Sequence, residues 1–293
     1  MNRIKKIAKR LPYPIKILIK SFLFPGYYFR YFFNDLMSLF GYKFGKSDII
    51  FVAGYPKSGT TWVENFISNI PGYNPRVLHG DLEYIRNHNL PSNAFKYFPK
   101  YGYSSVKTHI NPTDANIKVL RGRGVKKIIV MYRDPRDIVV SNYYHVLKSN
   151  PWKKTDSFYL DYKKASKEEA MLHSLDMVSE DFQQWLYGWE DKCLGVSDIE
   201  CYFLRYEDIL KDPKLKFREI LNFYEINLNI IGLNKIVSKI TLKRKSFKPE
   251  EGNIGNKSTL RNGTSESWKH EMNSKVKLIS SDKLKHIIKH LEY

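Results

Sequence analysis

The chain has 293 residues, of which 42% are hydrophobic and 15% aromatic, so it can build a large core and is too rich in aromatic side chains to be disordered. Its 49 Lys and Arg residues exceed its 30 Asp and Glu residues, and the formal net charge of +19 predicts anionic partners. Two cysteines, Cys193 and Cys201, cannot build a disulfide framework, so the composition is typical of a reducing compartment and favours a cytoplasmic location.

Residues 1–45 are predicted to be a basic, aromatic N-terminal extension, and residues 46–293 a single domain. Seven cations precede Ser21, and the stretch Phe22–Phe44 is rich in Phe, Tyr and Leu. Because charges interrupt its apolar residues, we expect neither a membrane span nor a cleaved signal peptide. We expect the extension to pack its aromatic side chains on the domain and leave its cations in solvent. The alternative is an amphipathic segment that lies on an anionic membrane surface, peripheral to the cytoplasm.

From Asp48 onward, short apolar runs alternate with segments of helical periodicity. Strands are predicted at Ile49–Ala53, Tyr103–Thr108, Ile128–Tyr132 and Cys201–Tyr206, and helices at Thr61–Ile70, at Asp137–Leu147 and from about Asp212. This alternation predicts a P-loop-like, three-layer α/β/α fold with a mostly parallel central sheet. In such a fold ligands bind at the carboxyl ends of the strands.

The segment Gly54–Trp62, between the first strand and its helix, is predicted to hold phosphate groups. Gly59 lets the backbone approach an anion, and N–H groups at the helix start point at that anion. The hydroxyl side chains that add further donors are those of Ser58, Thr60 and Thr61. The segment departs from the nucleoside-triphosphate pattern, because Thr60 occupies the lysine position and Lys57 lies inside the loop. A P-loop kinase or ATPase is the alternative. Because of these departures, a metal-free group transfer fits the segment better.

Residues 55–62, Tyr-Pro-Lys-Ser-Gly-Thr-Thr-Trp, resemble the 5′-phosphosulfate loop of the cytosolic-type sulfotransferases, which use 3′-phosphoadenosine-5′-phosphosulfate (PAPS). Further segments match the family in order as far as about Lys269. The resemblance implies that residues 46–293 are a sulfotransferase domain, with PAPS as donor, 3′,5′-diphosphoadenosine (PAP) as product and no metal. By the same resemblance, Lys57 to Trp62 hold the phosphosulfate.

The segment Val106-Lys107-Thr108-His109 resembles the part of the family that carries the catalytic histidine. The resemblance implies that His109 removes the proton of an acceptor hydroxyl, a task that suits a group titrating near neutrality. Lys57 is then the electrostatic partner of the leaving phosphate, and Lys107 assists there.

The remaining matches concern the nucleoside part of the donor. The resemblance assigns the adenine to Trp62, Tyr206 and Phe247, with Ser246 as a further cofactor contact. It assigns the 3′-phosphate to Arg133, Ser141 and Arg261, with Asn262 and Gly263 in the cofactor-binding segment that closes over it. The chain departs from the family where Asn262 replaces Lys, Glu266 replaces Gly and Ser267 replaces Asp, which places the closure of the C-terminal segment in question. Glu207 and Asp208 are interpreted as solvated or capping residues.

The acceptor is predicted only as a hydroxyl-bearing small or amphiphilic molecule: a phenol, an alcohol, a sugar or a glycolipid. The segments 71–103 and 148–180 have a loop-like composition and are expected to line its entrance. A non-enzymatic basic protein is the second alternative, but no nucleic-acid-binding signature accompanies the charge, and no nucleic acid is expected. The sequence does not specify an oligomeric state.

Overall fold

Five parallel strands form the central sheet of the computed structural model, which describes residues 25–43, 45–80, 88–99, 102–149, 157–194, 198–245 and 263–293. The strands are β1 (Ile49–Gly54), β2 (Tyr73–Pro75), β3 (Tyr103–Thr108), β4 (Lys127–Tyr132) and β5 (Glu200–Arg205). They lie side by side in the order β2-β3-β1-β4-β5. All four neighbouring pairs are parallel, which confirms the predicted sheet.

Helices cover both faces of this sheet. They are α1 (Pro25–Leu39), α2 (Thr60–Ile67), α3 (Asp114–Gly122), α4 (Pro135–Ser149), α5 (Ser157–Lys164), α6 (Lys167–Leu194), α7 (Tyr206–Lys211), α8 (Pro213–Phe223), α9 (Ile230–Lys245), α10 (Trp268–Glu271), α11 (Ser274–Lys283) and α12 (Lys285–His290). The three-layer α/β/α fold class is therefore confirmed. No helix in the described part of the chain is long and apolar enough to cross a membrane.

The side chains of β1 explain why both faces must be covered. Ile49, Phe51 and Ala53 belong to one core cluster, which includes the buried side of α6. Ile50 and Val52 belong to a second cluster, which includes α2 and α8. Because successive side chains of a strand point to opposite faces, an unbroken apolar run predicts burial on both sides, as observed.

Two parts of the predicted secondary structure need correction. Residues 148–180, expected to be loop-like, instead contain α5 and the first half of α6, a helix of 28 residues. Burial of one face of α6, which includes Met171, Leu175 and Phe182, stabilises this helix. The polar residues between them make the segment resemble a loop in composition. The last predicted strand ends one residue early, because Tyr206 begins helix α7.

Helix α1 docks on the sheet in a way that the sequence did not indicate. Tyr31 is buried, but most of the large apolar side chains of α1 and the residues that follow it are exposed. Its polar side chains face the domain instead, with Asn34 donating to Asn74 of β2. The expectation that the extension packs its aromatic side chains on the domain is thus wrong for these residues, because the edge strand presents polar partners to α1.

The two cysteines form a disulfide that the composition did not lead us to expect. Cys193 lies in the last turn of α6 and Cys201 lies in β5, with 5.6 Å between their Cα atoms. The short connection from α6 to β5 brings them together, because an eight-residue separation is enough for the chain to reverse there. This single bond is a local link between a helix end and the strand that follows.

Tyr224, just after α8, links the strands β1 and β4 from within the core. Its hydroxyl accepts from the N–H of Phe51 at 3.2 Å and donates to the carbonyl of Lys127 at 2.9 Å. The side chain is fully buried, so no water replaces these bonds if the hydroxyl is removed.

We expect Tyr224→Phe to lower the free energy of unfolding by about 1–3 kcal/mol, because buried polar groups lose a partner. Denaturant unfolding followed by circular dichroism measures the change. The control is Tyr97→Phe, which removes a hydroxyl from a partly exposed ring and should change stability by less than about 0.5 kcal/mol. Equal stability of Tyr224→Phe and the wild type would show that these bonds add nothing.

Candidate active site

Four adjacent strands end at the same edge of the sheet, and each is followed by one of the predicted motifs. The phosphate loop follows β1, His109 follows β3, Arg133 follows β4 and Tyr206 follows β5. Parallel pairing brings these four ends together, since Ala53 lies opposite Thr108 and Gly54 opposite Met131. The candidate site is therefore assembled by the sheet, at the edge where such folds bind ligands.

The backbone of the phosphate loop has the geometry of an anion cradle. Gly59 adopts a φ of 89°, in the left-handed region, immediately before α2 begins at Thr60. A Cβ atom there would lie 2.6 Å from the ring of Tyr206, so glycine is required by both conformation and space. Lys57 also has a positive φ of 71°, a costly conformation for a residue with a side chain.

Two buried polar atoms at this site lack a hydrogen-bond partner among the described residues. They are the Oγ atom of Ser58, whose side chain is fully buried, and the Nε atom of Arg133. Unpaired buried polar atoms are rare in folded proteins, and both of these are donors that point to an anionic ligand.

The Lys57 side chain is a cation held in a partly desolvated position. Burial lowers its pKa to about 8, and the positive charge of Arg133 acts in the same direction. Two cations that repel each other at one site gain the most from a bound polyanion, which screens both charges.

His109 makes one hydrogen bond that defines its chemistry. Its Nδ1 atom lies 2.6 Å from the carbonyl oxygen of Gly54, which can only accept, so Nδ1 carries the proton. Burial lowers the pKa of His109 to about 4, while the bond to Gly54 opposes this shift and His88, Lys107 and Lys57 add to it. The ring is therefore neutral at pH 7, and its Nε2 atom carries a free lone pair.

Lys107 lies beside the phosphate loop but faces helix α2. Its Nζ atom is 2.7 Å from Oε2 of Glu64 and 3.2 Å from Oγ1 of Thr61. Because Lys107 donates to the Thr61 hydroxyl, that hydroxyl keeps its own proton for another acceptor. Glu64, which the sequence did not single out, fixes the position of Lys107.

Arg133 is the centre of a network that fixes the predicted 3′-phosphate site. Its Nη2 atom donates to Asp137 at 2.9 Å and to the carbonyl of Thr264 at 2.8 Å. The guanidinium carbon lies 4.5 Å above the centre of the Tyr206 ring. Ser141 lies in the second turn of α4, the helix that also carries Asp137, and is partly buried.

The C-terminal segment closes on α4 despite its departures from the family pattern. The N–H of Trp268 donates to Oδ1 of Asp137 at 3.0 Å, and Arg136 lies 4.0 Å above the Trp268 ring. Glu266 adopts a φ of 60°, so the left-handed turn persists at a position where the family has glycine. Gly263 also has a positive φ, of 65°. Ser246, Phe247, Arg261 and Asn262 lie outside the described residues, and their assigned roles stay predictions.

Tyr206 and Trp62, two residues of the predicted adenine site, form an edge-to-face aromatic pair next to the loop. Their ring centres are 6.1 Å apart in an edge-to-face arrangement, and the Trp62 ring lies 6.0 Å from that of Phe217. Tyr206 is buried and Trp62 is partly exposed. Phe217 is an additional aromatic residue that no motif indicated.

Glu207 departs most clearly from its sequence interpretation. It is not a solvated residue, because its carboxylate accepts from the N–H of Asp134 and from the hydroxyl of Tyr293. Its Oε1 atom lies 4.0 Å from Nε of Arg133. Burial raises the pKa of Glu207, and these hydrogen bonds oppose the shift. Its burial depends on the return of the chain end to β5, which no local pattern shows.

Two further histidines lie near His109. Burial lowers the pKa of His145 to about 4, with Lys57 and His109 acting in the same direction. Burial also lowers the pKa of His88, whose charge would repel a proton on His109. The described residues contain no group of three or more His, Cys, Asp and Glu side chains that could hold a metal ion.

The sequence model of the sulfotransferase domain family matches residues 47–288. The chain belongs to this family. The resemblance to the PAPS-dependent sulfotransferases is therefore confirmed, and the protein is an enzyme of that type. The P-loop kinase or ATPase alternative has no such support, and Thr60, at the position of the kinase lysine, is buried.

Curated relatives of this sulfotransferase are named after different kinds of acceptor molecules. An amine sulfotransferase of Oryctolagus cuniculus is 28% identical over 253 residues, covering 78% of this chain and 76% of the relative. A flavonol 3-sulfotransferase of Flaveria bidentis is 25% identical over 273 residues, covering 80% and 81%. A luciferin sulfotransferase of Photinus pyralis is 26% identical over 271 residues, covering 78% and 68%.

Solved structures share the fold. Mouse sulfotransferase SULT7A1, complexed with PAP, superposes with a TM-score of 0.61 at 20% identity, covering 84% of this chain and 85% of that one. Retinol dehydratase, in complex with androsterone and the inactive cofactor PAP, gives a TM-score of 0.56 at 18% identity, covering 83% and 81%.

We expect a bell-shaped dependence of kcat/KM on pH, since this ratio reports the free enzyme. His109, with a pKa of about 4, stays neutral as a base through pH 5–6, where an ordinary histidine is mostly protonated. Lys57, with a pKa of about 8, loses its charge above that pH, so activity should fall there. An aliphatic alcohol is the acceptor to use, because it does not titrate in this range.

The matched variant is Lys57→Arg, whose guanidinium stays charged throughout. In this variant the decrease of kcat/KM at alkaline pH should disappear, while the decrease at acid pH should stay at the same pH. An unchanged alkaline limb in Lys57→Arg would assign that limb to another group.

Proposed function

We propose that this sulfotransferase moves a sulfuryl group from PAPS to the hydroxyl of a small or amphiphilic acceptor, with His109 as general base and PAP as the released product. The observation that carries the proposal is the bond from Nδ1 of His109 to the carbonyl of Gly54, which begins the phosphate loop, because this bond leaves Nε2 as the ring nitrogen that can accept a proton. The catalytic assignment of His109, Lys57 and Lys107 and the absence of a metal requirement are parts of the same proposal.

The residues present fit the donor. Ser58 and Arg133 each supply a buried donor atom without a partner among the described residues, and the left-handed Gly59 opens the loop to a phosphate. PAPS, when bound, supplies the sulfuryl group and a leaving phosphate. Lys57, Ser58, Gly59, Thr60 and Thr61 would hold the phosphosulfate. Arg133, Ser141 and the segment beginning at Arg261, Asn262 and Gly263 would hold the 3′-phosphate.

The adenine is assigned to Trp62, Tyr206 and Phe247, and Ser246 is assigned a further contact with the cofactor. The edge-to-face pair of Trp62 and Tyr206 supports this assignment, because it leaves one aromatic ring partly exposed beside the loop. An aromatic surface of this kind stacks well on a purine ring.

Proton transfer falls to His109. With Nδ1 donating to Gly54, the neutral ring can take a proton only at Nε2. The bond to the strand end therefore fixes both the tautomer and the ring nitrogen that receives the acceptor proton. A low pKa keeps the base free but makes it a weak base. Its benefit therefore depends on close placement of the acceptor hydroxyl, which general-base catalysis requires in any case.

Charge stabilisation falls to Lys57. A cation that is already partly desolvated interacts strongly with negative charge that develops on the leaving phosphate. Lys107 acts beside it by donating to the hydroxyl of Thr61, which then donates its own proton toward the loop. The ion pair of Lys107 with Glu64 keeps this arrangement in place without a ligand.

The acceptor entrance is proposed at the segment 71–103. The contacts that hold residues 88–90 near His109 support this proposal. Asn116, fully buried, donates to the carbonyl of His88 at 3.0 Å and accepts from the N–H of Leu90 at 2.7 Å. This holds residues 88–90 against the domain, close enough for His88 to affect the charge of His109. Phe95 and Phe98 pack nearby on the core, which suits an acceptor with an apolar part.

The proposal also retains a cytoplasmic location with peripheral contact to an anionic membrane through residues 1–45. Such a location would allow an amphiphilic alcohol, phenol, sugar or glycolipid to reach the entrance. The relatives named above give precedent for small acceptors of several classes.

We expect His109→Ala to lower kcat by about 10²–10⁴-fold, because the acceptor proton loses its base. The affinity for PAP, measured by isothermal titration calorimetry, should change by less than about threefold, since His109 does not hold the donor. Turnover is measured with PAPS and a panel of hydroxyl acceptors by the mass shift of the product. Wild-type turnover in His109→Ala would refute the base assignment.

We expect PAP to bind at least about a hundredfold more tightly than ATP without magnesium, because the 3′-phosphate reaches Arg133 and Ser141. Calorimetric titration of each nucleotide measures this ratio. Ser141→Ala should weaken PAP by about tenfold and leave ATP nearly unchanged, since ATP has no 3′-phosphate. A preference of the wild type for ATP would contradict the assignment of the donor site.

A further inference from the structure

Helix α1 exposes an apolar stripe. Phe29, Phe32, Phe33 and Leu36 follow the spacing of one face of α1, which is the face turned from the domain, and Phe40, just after the helix ends at Leu39, continues that spacing. Of the aromatic residues, Phe29 is 61% exposed, Phe32 42%, Phe33 47% and Phe40 79%. We call these five residues the aromatic stripe. Single exposed apolar side chains are ordinary, but four phenylalanines on one face form a patch that marks an interaction surface.

The opposite face of α1 is polar, and it holds the helix on the domain. Asp35 receives two hydrogen bonds from Arg76, at 2.6 and 2.7 Å, and one from Asn74 at 2.8 Å. Arg30 donates to the carbonyl of Ser68, and Ser38 is buried. These contacts fix the rotation of α1, so the aromatic stripe faces outward because the polar face is engaged.

The positive charge that precedes the stripe in the sequence indicates the kind of partner that the stripe binds. Residues 1–34 contain eight Lys and Arg residues and no acidic residue, since Asp35 is the first acid of the chain. Seven of these cations precede Ser21. A second copy seated symmetrically on the stripe would bring two such basic segments together, and their repulsion disfavours that occupant. An anionic lipid surface attracts the same cations and accepts phenylalanine side chains.

We propose that the aromatic stripe of α1 is a docking surface for an anionic lipid membrane, and that the cations which precede it in the sequence add electrostatic attraction to such a membrane. The proposal deepens the peripheral contact proposed above by assigning it a surface, and it does not depend on the sulfuryl-transfer chemistry. The ion pair between Asp35 and Arg76 joins α1 to Arg76, which lies within the proposed entrance segment 71–103. Docking would therefore bring the entrance close to amphiphilic acceptors in the membrane.

Vesicle co-sedimentation of the full chain tests the proposal. We expect binding to vesicles of phosphatidylcholine with phosphatidylglycerol, and at least about tenfold weaker binding to phosphatidylcholine alone. Raising the salt from about 0.1 M to about 1 M should weaken the anionic contribution, because the Debye length falls from about 10 Å to about 3 Å.

The decisive variant is Phe29→Ser/Phe32→Ser/Phe33→Ser, which should lower partitioning into anionic vesicles by about tenfold or more. The matched control is Ile231→Ser/Leu278→Ser, which removes two side chains that are each 74% exposed on α9 and α11, and which should bind vesicles like the wild type. Both variants should keep wild-type affinity for PAP, which shows that the domain is folded and separates this test from that of the donor site.

A second variant, Lys5→Gln/Lys6→Gln/Lys9→Gln/Arg10→Gln, changes only residues that precede the described part of the chain, and it tests the charge even if the phenylalanine variant fails to fold. It should lose the preference for anionic vesicles. Wild-type vesicle binding by either variant would overturn the proposal. So would a dimer in solution that the phenylalanine variant dissociates, because the stripe would then be covered by a second copy.

Discussion

Strand β1 is paired along both of its edges, and this position constrains the whole active site. Its partners β3 and β4 run parallel to it, so Gly54, His109 and Arg133 leave the sheet at one edge. A register shift of one residue would move a strand end by about 3.3 Å and turn its side chains to the other face. The bond from His109 to Gly54 would then be lost. The position of His109 is thus set by sheet pairing, before any ligand is present.

The same edge concentrates cations, and acidic residues hold them without neutralising the loop. Asp137 takes one side of the Arg133 guanidinium, and Glu64 takes the Lys107 ammonium at the helix next to the loop. Each carboxylate lies behind its cation, on a helix that belongs to the scaffold. Among the described residues Lys57 has no such carboxylate partner, and burial first, then repulsion from Arg133, lowers its pKa. A polyanionic donor would relieve this repulsion, which makes the site selective for charge as well as for shape.

Much of this arrangement could be predicted from the sequence, because its elements are local. The apolar run of β1, the glycine of the loop and the motif at Arg133 each fix a strand, a turn or a helix start within a few residues. Glu207 could not be predicted in the same way, because Tyr293, 86 residues away, helps to bury it. Helix α6 was missed because its buried face emerges only when it packs on the sheet. The outward aromatic face of α1 was missed for the opposite reason: polar partners on β2 compete successfully with burial of the phenylalanines.

One environment gives the two central groups opposite protonation states. Burial penalises the charged form of each, so it lowers the pKa of both His109 and Lys57. The reference pKa of histidine is about 6.5 and that of lysine is about 10.4, so equal pressure leaves histidine neutral and lysine charged near pH 7. A neutral imidazole and a charged ammonium can therefore occupy the same buried site, and burial alone is enough to give them different protonation states. The cost is a weak base, and a weak base works well only on a hydroxyl that is held at its lone pair. Such an enzyme would owe its acceptor preference more to the shape of the entrance than to the acidity of the acceptor.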